Sequence, residues 1–299
     1  MKNISLKSCF YGILAGVILS GWDTPFLEKM FKNNPEEISE KNILVLDDFA
    51  DFEKQIYIND DDTFDITHGE LVSKIIENGL PDYKVDKVEA FIGCNSDSFQ
   101  KHKQFDNILN GKKKYKAANV SLGCDISYDE LSARTGIDVT PDNIASKAKE
   151  VKAYLKEHPD EYLKEGTIFM DATMGGVADF IDGLDSLSAK GTKIYVSTCN
   201  KGPNRLNLVS LVDGSVTVGA VDDYGTTYYS SENSLVRRHD NGTVNITKTK
   251  DGYSIDGGRT TAFKNTQVSK GSNKPYPYTH EGASLATPRV LVMDLKIQR

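Results

Sequence analysis

Positive charge is in short supply in this sequence. Thirty-six Lys and Arg face 43 Asp and Glu, a formal charge of −7 at pH 7. Phosphate backbones are held by clustered cations, so a nucleic-acid partner is not expected. Cysteine is scarce too, with residues only at positions 9, 94, 124 and 199. Their spacing matches neither a zinc site nor a disulfide framework. Long apolar runs are missing as well: Phe10 to Leu19 is about half of the roughly 20 residues that a membrane-spanning helix needs. What remains, 38% hydrophobic and 26% charged residues over 299 positions, is enough for one large domain with a sizeable core.

The first 21 residues have a pattern of their own. Lys2 and Lys7 precede the apolar stretch, and Ser20 and Gly21 follow it. A basic start, about ten apolar residues and a small-residue exit describe a signal peptide, and export to a secreted or periplasmic location is expected. A buried N-terminal helix is the plainer alternative, but it leaves the two lysines and the polar switch after Trp22 without a role. "LSGW" has Trp22 where a lipidated cysteine would stand, so no stable membrane anchor is expected. Cleavage near Gly21 removes two lysines and no acid, taking the formal charge from −7 to −9. Residues 22–41 then form a short N-terminal segment and 42–299 the main domain.

From Asn42 onward, short apolar runs alternate with amphipathic stretches. "NILVLDD" (42–48), "KVEAFIG" (87–93), "AANVSLG" (117–123), "KIYVSTCN" (193–200) and "GSVTVGAVDD" (214–223) read as strands. "HGELVSKIIENGL" (68–80) places Leu71, Val72, Ile75 and Ile76 on one helical face and stops at Gly79. Helices are also expected over 141–158 and over 177–191, the latter with Val177, Phe180, Ile181, Leu184 and Leu187 in helical spacing. Strand and helix in alternation predict an α/β fold: a doubly wound, mostly parallel sheet with helices on both faces. Residues 231–280 are richer in Ser, Thr, Asn and Gly and read as a polar insert. Asp251-Gly252 signals a hairpin inside it. The acidic run 59–65 reads as a solvated loop.

Asp47 ends a predicted strand, where doubly wound sheets commonly carry their chemistry, and His68 and Ser284 each begin a predicted helix. A hydroxyl, a base to take its proton and a buried acid to orient that base are what serine hydrolysis requires. Asp48 adjoins the same strand end and is an alternative acid. Taken singly, a serine before a helix is usually a cap and a histidine at a helix start is usually structural. The other histidines, at 102, 158, 239 and 280, lie in polar stretches with no comparable setting.

The order of these segments resembles subtilisin-like serine peptidases. "VLDD" (45–48), "HGELVSKII" (68–76) and "GASLATP" (282–288) look like the three active-site blocks of that family. "NVSLG" (119–123) is similar to its substrate-pairing strand, "STCNKGP" (197–203) to its oxyanion segment, and "VTVGAVDD" (216–223) to the strand that follows. The resemblance implies a subtilisin-like fold, with Asp47 as orienting acid, His68 as general base and Ser284 as nucleophile. It also implies Asn200 as oxyanion donor, and Ser121, Leu122 and Gly123 as an edge for an extended peptide or protein substrate. It implies no required cofactor and is compatible with bound calcium. Phe49, Glu70, Lys74 and Cys199 depart from the family pattern, each being larger than the residue usually found there. Because these sites pack around the three residues, the departures motivate an alternative: a non-catalytic subtilisin-fold protein that binds peptide without cleaving it. An esterase on the same machinery is a third reading.

Overall fold

The computed structural model describes residues 41–47, 49, 67–90, 103–163, 172–222, 225, 230–249, 252–256 and 277–298. The chain divides into Met1–Glu40 and Lys41–Arg299, and every described residue belongs to the second unit. The signal-like segment, Asp48, the acidic run 59–65, Cys94 and His102 lie outside the described residues. Among the described residues, no helix is long and apolar enough to cross a membrane.

In chain order the first elements are β1 (Asn42–Asp47), α1 (His68–Gly79), β2 (Lys84–Glu89), α2 (Lys103–Asn110) and β3 (Ala117–Val120). Next come β4 (Asp125–Ser127), α3 (Tyr128–Thr135), α4 (Ile144–Glu157), β5 (Tyr162–Leu163), β6 (Ala172–Thr173) and α5 (Met174–Ala189). The remainder is β7 (Lys193–Ser197), β8 (Arg205–Asn207), a 3₁₀ turn at Leu208–Leu211, β9 (Val216–Val221) and β10 (Val236–Asn241). β11 (Thr243–Thr249), β12 (Gly252–Asp256), β13 (Pro277–Glu281) and α6 (Ala283–Ile297) complete it.

Six strands form one parallel sheet in the order β10-β9-β7-β3-β1-β2, the α/β arrangement expected from the alternation of elements. Side-chain alternation along its central strands sorts residues onto two cores. Leu44, Leu46, Ala118, Val120, Ile194 and Val196 face a cluster that includes Phe105 of α2, Val151 of α4 and Phe180 of α5. Ile43, Val45, Ala117 and Tyr195 face the opposite cluster with Leu71 and Val72 of α1 and Leu285, Val290 and Leu291 of α6. A strand buried on both faces reads as a continuous apolar run, which is why "NILVLD" shows no alternation in its composition. By the same parity, Asp47 falls on the α1–α6 side, as do Asn119 and Ser121.

The chain leaves β1 for β2 on one side and returns to β3 on the other, so the winding reverses between β1 and β3. In open α/β sheets the crevice beyond the carboxyl ends at such a reversal is the usual site of chemistry. Asp47 and Ser121 flank it.

The polar segment 231–280 divides in a way its composition did not announce. β10 is parallel to β9 and forms an edge of the main sheet, while β11, β12 and β13 make a separate antiparallel sheet. The signalled hairpin is β11–β12, with Thr249 opposite Gly252. β10 looks polar because an edge strand carries charge on its open side; its sequence is Val-Arg-Arg-His-Asp-Asn.

α6 is anchored at both ends. Val290, Leu291 and Leu295 are fully buried or nearly so, each contributing about 1.5–3 kcal/mol. Near its far end Asp294 takes hydrogen bonds from Lys193 Nζ (2.9 Å) and Tyr195 Oη (3.0 Å) and pairs with Arg238 (3.0 Å), tying α6 to β7 and β10. Burial alone would raise the Asp294 pKa, but the bonds from Lys193 and Tyr195 and the charges of Lys193 and Arg238 outweigh it and hold it below the usual carboxylate value. A depressed native pKa contributes stability above the unfolded value of about 3.9 and loses it as pH falls through the native value. Asp294→Asn is therefore expected to cost roughly 1–3 kcal/mol at pH 7. In urea melts compared across pH, that difference should shrink once the pH drops below about 4; a difference that is constant from pH 7 to pH 2 would contradict it.

Candidate active site

Each member of the candidate triad is delivered by the end of a regular element. Asp47 is the last residue of β1 and is fully buried. His68 is the first residue of α1. Its backbone position is set by a capping box: Thr67 Oγ1 accepts the Glu70 N–H at 3.2 Å, and Glu70 Oε2 accepts the Thr67 N–H at 3.3 Å. Ser284 is the second residue of α6, where a backbone N–H has no acceptor within the helix.

These three side chains, distant in sequence, form one hydrogen-bonded series. His68 Nδ1 lies 2.8 Å from Asp47 Oδ1, and His68 Nε2 lies 2.9 Å from Ser284 Oγ. An ionised carboxylate only accepts, so the proton belongs on Nδ1, leaving Nε2 to accept from the serine hydroxyl. His68 and Ser284 are buried, at 8% and 6% exposure. Burial to that degree strengthens both bonds.

Ser284 is not the cap of its helix. Capping falls to Gly282, which has no side chain, and to Asn200, whose Oδ1 accepts the Ala283 N–H at 2.7 Å. With its oxygen so held, the Asn200 amide nitrogen is the end left to face the serine. The Gly282 backbone is extended (φ 174°, ψ 153°), so its torsions do not require glycine. Space does: a Cβ there would sit 3.0 Å from Ser284 Oγ and 3.2 Å from Asn200 Nδ2. The loop is located by a backbone relay in which Gly282 N–H bonds to Gly242 O (3.0 Å) and Gly242 N–H to Val221 O (3.1 Å).

The substrate-edge residues divide. Ser121 turns its hydroxyl to the Ser284 carbonyl at 2.8 Å. Leu122 belongs to the core, and its carbonyl accepts from Asn207 Nδ2 at 3.1 Å. Gly123 is partly exposed, and a Cβ on it would meet the Asn207 side-chain amide at 3.0 Å. Asn207 is a residue that motif reading missed. Buried at 1% exposure, it donates also to Ser197 O (2.7 Å) and accepts from the Cys124 and Val209 N–H groups, so it clamps the loops after β3 and β7 together. Its only trace in the sequence is an asparagine placed to cap the 3₁₀ turn that follows.

The four departures from the family pattern are all accommodated. Glu70 is used in the capping box. Lys74 is turned outward to Glu77 (2.8 Å). Phe49 packs against the α1–α6 core, with its N–H on Glu89 Oε2 at 2.7 Å. Cys199 is buried and accepts the Lys201 N–H at 3.3 Å. Burial first, then the neighbouring Asp125, pushes the Cys199 thiol far up, so it is a protonated packing group and not a second nucleophile. Asp125 itself is raised by desolvation, against the opposing effects of Cys199, Lys201 and Arg205. Burial likewise pushes Cys124 up to about 12. Among the other histidines, His158 bonds to Tyr154 O (3.0 Å) and His239 to Glu232 (2.8 Å). Among the described residues, no group of three or more His, Cys, Asp or Glu is placed to hold a metal ion.

No family model and no curated protein matches the chain. Among solved structures it is similar to the prenylagaramide maturation protease PagA, with a TM-score of 0.46 and 14% identity over 91% of this chain and 82% of that one. It is similar to the patellamide maturation protease PatA (0.46, 14%, 87% and 79%). A lanthipeptide protease also matches (0.44, 14%, 85% and 72%). All three similarities are at 14% identity.

Proposed function

We propose that the chain is a subtilisin-like serine endopeptidase that cleaves peptide or protein substrates through an acyl-enzyme. The observation that carries the reading is the unbroken series Asp47–His68–Ser284, at 2.8 and 2.9 Å. Ser284 Oγ attacks the scissile carbonyl while His68 Nε2 takes its proton. Asp47 holds the imidazole in the Nδ1–H tautomer and stabilises the imidazolium that forms. The carbonyl oxygen, now negative, is received by the Asn200 amide and the Ser284 N–H, aided by the positive end of α6. His68 then returns the proton to the leaving amine, and water repeats the sequence to release the acid.

This chemistry requires no cofactor. In the same reading, residues 1–21 export the chain and 42–299 do the work. The binding-only alternative drew its motive from Phe49, Glu70, Lys74 and Cys199. With those side chains packed away or turned to solvent, and the triad at hydrogen-bonding distance, the enzyme is the better-supported reading. A fluorophosphonate probe tests it: the wild-type protein should be labelled and Ser284→Ala should not. Equal labelling of the two would remove Ser284 from the nucleophile's role.

A further inference from the structure

Pro288 lies inside α6, four residues after Ser284. In a helix the carbonyl of residue 284 accepts from the N–H of residue 288, and proline has none. The Ser284 carbonyl takes another donor: the Ser121 hydroxyl, at 2.8 Å. Ser121 Oγ in turn accepts from Asn119 Nδ2, also at 2.8 Å. Asn119, Ser121 and Ser284 are all buried, so water is a poor replacement for either bond. Asn119 and Ser121 sit two residues apart, at and just beyond the end of β3. Parity therefore turns both toward α6.

We propose that Ser121 is a positioning residue for the nucleophile, and that it works as a pair with Pro288. The proline leaves the Ser284 carbonyl without its helical donor, and Ser121 supplies one from the sheet. The first turn of α6 is thereby fastened to β3 as well as to its own second turn. β3 is the immediate neighbour of β1, which carries Asp47. The hydroxyl and the carboxylate at the two ends of the triad are thus referred to one rigid support, with His68 between them. A helix start held only by its own bonds would be free to slide, and about 1 Å of slippage costs up to roughly 10²-fold in rate. Ser121 touches no reacting atom; it acts through the backbone of Ser284. The kinetic consequence rests on Ser284 being the nucleophile, whereas the exchange of hydrogen-bond donors does not.

The test compares wild type, Ser121→Ala, Pro288→Ala and the double variant, by thermal unfolding and by the kinetics of fluorophosphonate labelling. With Pro288 present, Ser121→Ala should lower the limiting labelling rate about tenfold. The probe concentration at half-saturation should stay the same, because the loss is in alignment and not in binding. The melting temperature should fall by about 2–4 °C. In the Pro288→Ala background the backbone regains an N–H at that position, which can serve the Ser284 carbonyl. Removing the Ser121 hydroxyl should then cost less than half as much on both scales. Asn119→Ala, which removes the donor that orients Ser121, should show the same dependence on position 288 with a smaller effect, and it serves if Ser121→Ala does not fold. An equal cost in the two backgrounds would overturn the pairing. If the wild type is not labelled at all, the nucleophile reading fails, and the melting temperatures alone still decide whether Ser121 and Pro288 are coupled.

Discussion

His68→Ala is expected to slow acylation by about 10⁶-fold, the scale on which such a unit fails when its base is removed. A serine hydroxyl is a weak nucleophile at its own pKa, and the ring nitrogen 2.9 Å from Oγ is the group placed to take its proton. His158 and His239 are engaged elsewhere, with Tyr154 and Glu232, so neither stands in for it. The fold should survive. The cap of α1 is made by Thr67 and Glu70, and the helix is seated on the core by Leu71, Val72 and Ile76. The variant should therefore melt within a few degrees of wild type while its rate of fluorophosphonate labelling collapses. A labelling rate within tenfold of wild type, in a protein that melts normally, would show that His68 is not the base.

Asp47→Asn is expected to cost about 10⁴-fold, less than loss of the base but more than loss of an ordinary hydrogen bond. The two side chains have the same shape, so packing at this fully buried position changes little. What changes is the direction of a hydrogen bond. An amide that presents its NH₂ to Nδ1 makes that nitrogen an acceptor and moves the imidazole proton to Nε2. Nε2 then faces Ser284 as a donor and has no lone pair to take the hydroxyl proton. The imidazolium also loses its counter-charge in a dry site. Hydrolysis of a fluorogenic peptide, followed beside the melting curve, separates this from unfolding. A rate near wild type would mean that another acid orients His68, Asp48 being the sequence's own alternative.

Much of the frame was legible because it is local. Alternation of apolar runs with amphipathic stretches follows from burying strands on two faces and helices on one, so the parallel sheet could be anticipated from residues 42–221. The helix beginning at His68 was marked by its apolar spacing, whereas the capping box of Thr67 and Glu70 that starts it came from the structure. Boundaries were less legible. The strand expected over 117–123 ends at Val120, because from Ser121 the chain turns its polar groups to Ser284 and Asn207. β10 was read as part of a polar insert because an edge strand needs charge on its open side, and charge looks the same in a loop.

The amino-acid order by itself determined which residue types the site has available and which residues of any one strand point the same way. Asn119 and Ser121 point the same way because side chains alternate along a strand, whereas Asp47 joins their face only through the pairing of β1 with β3. Only the tertiary structure decided that segments more than 200 residues apart meet within hydrogen-bonding distance (His68 with Ser284 at 2.9 Å). It also decided that Ser121 serves a backbone carbonyl and that Asn207 joins two loops. The reason is that hydrogen bonds between distant segments depend on how helices seat on the sheet to a fraction of an ångström. That seating is set by packing of the whole core, which no local stretch of sequence encodes.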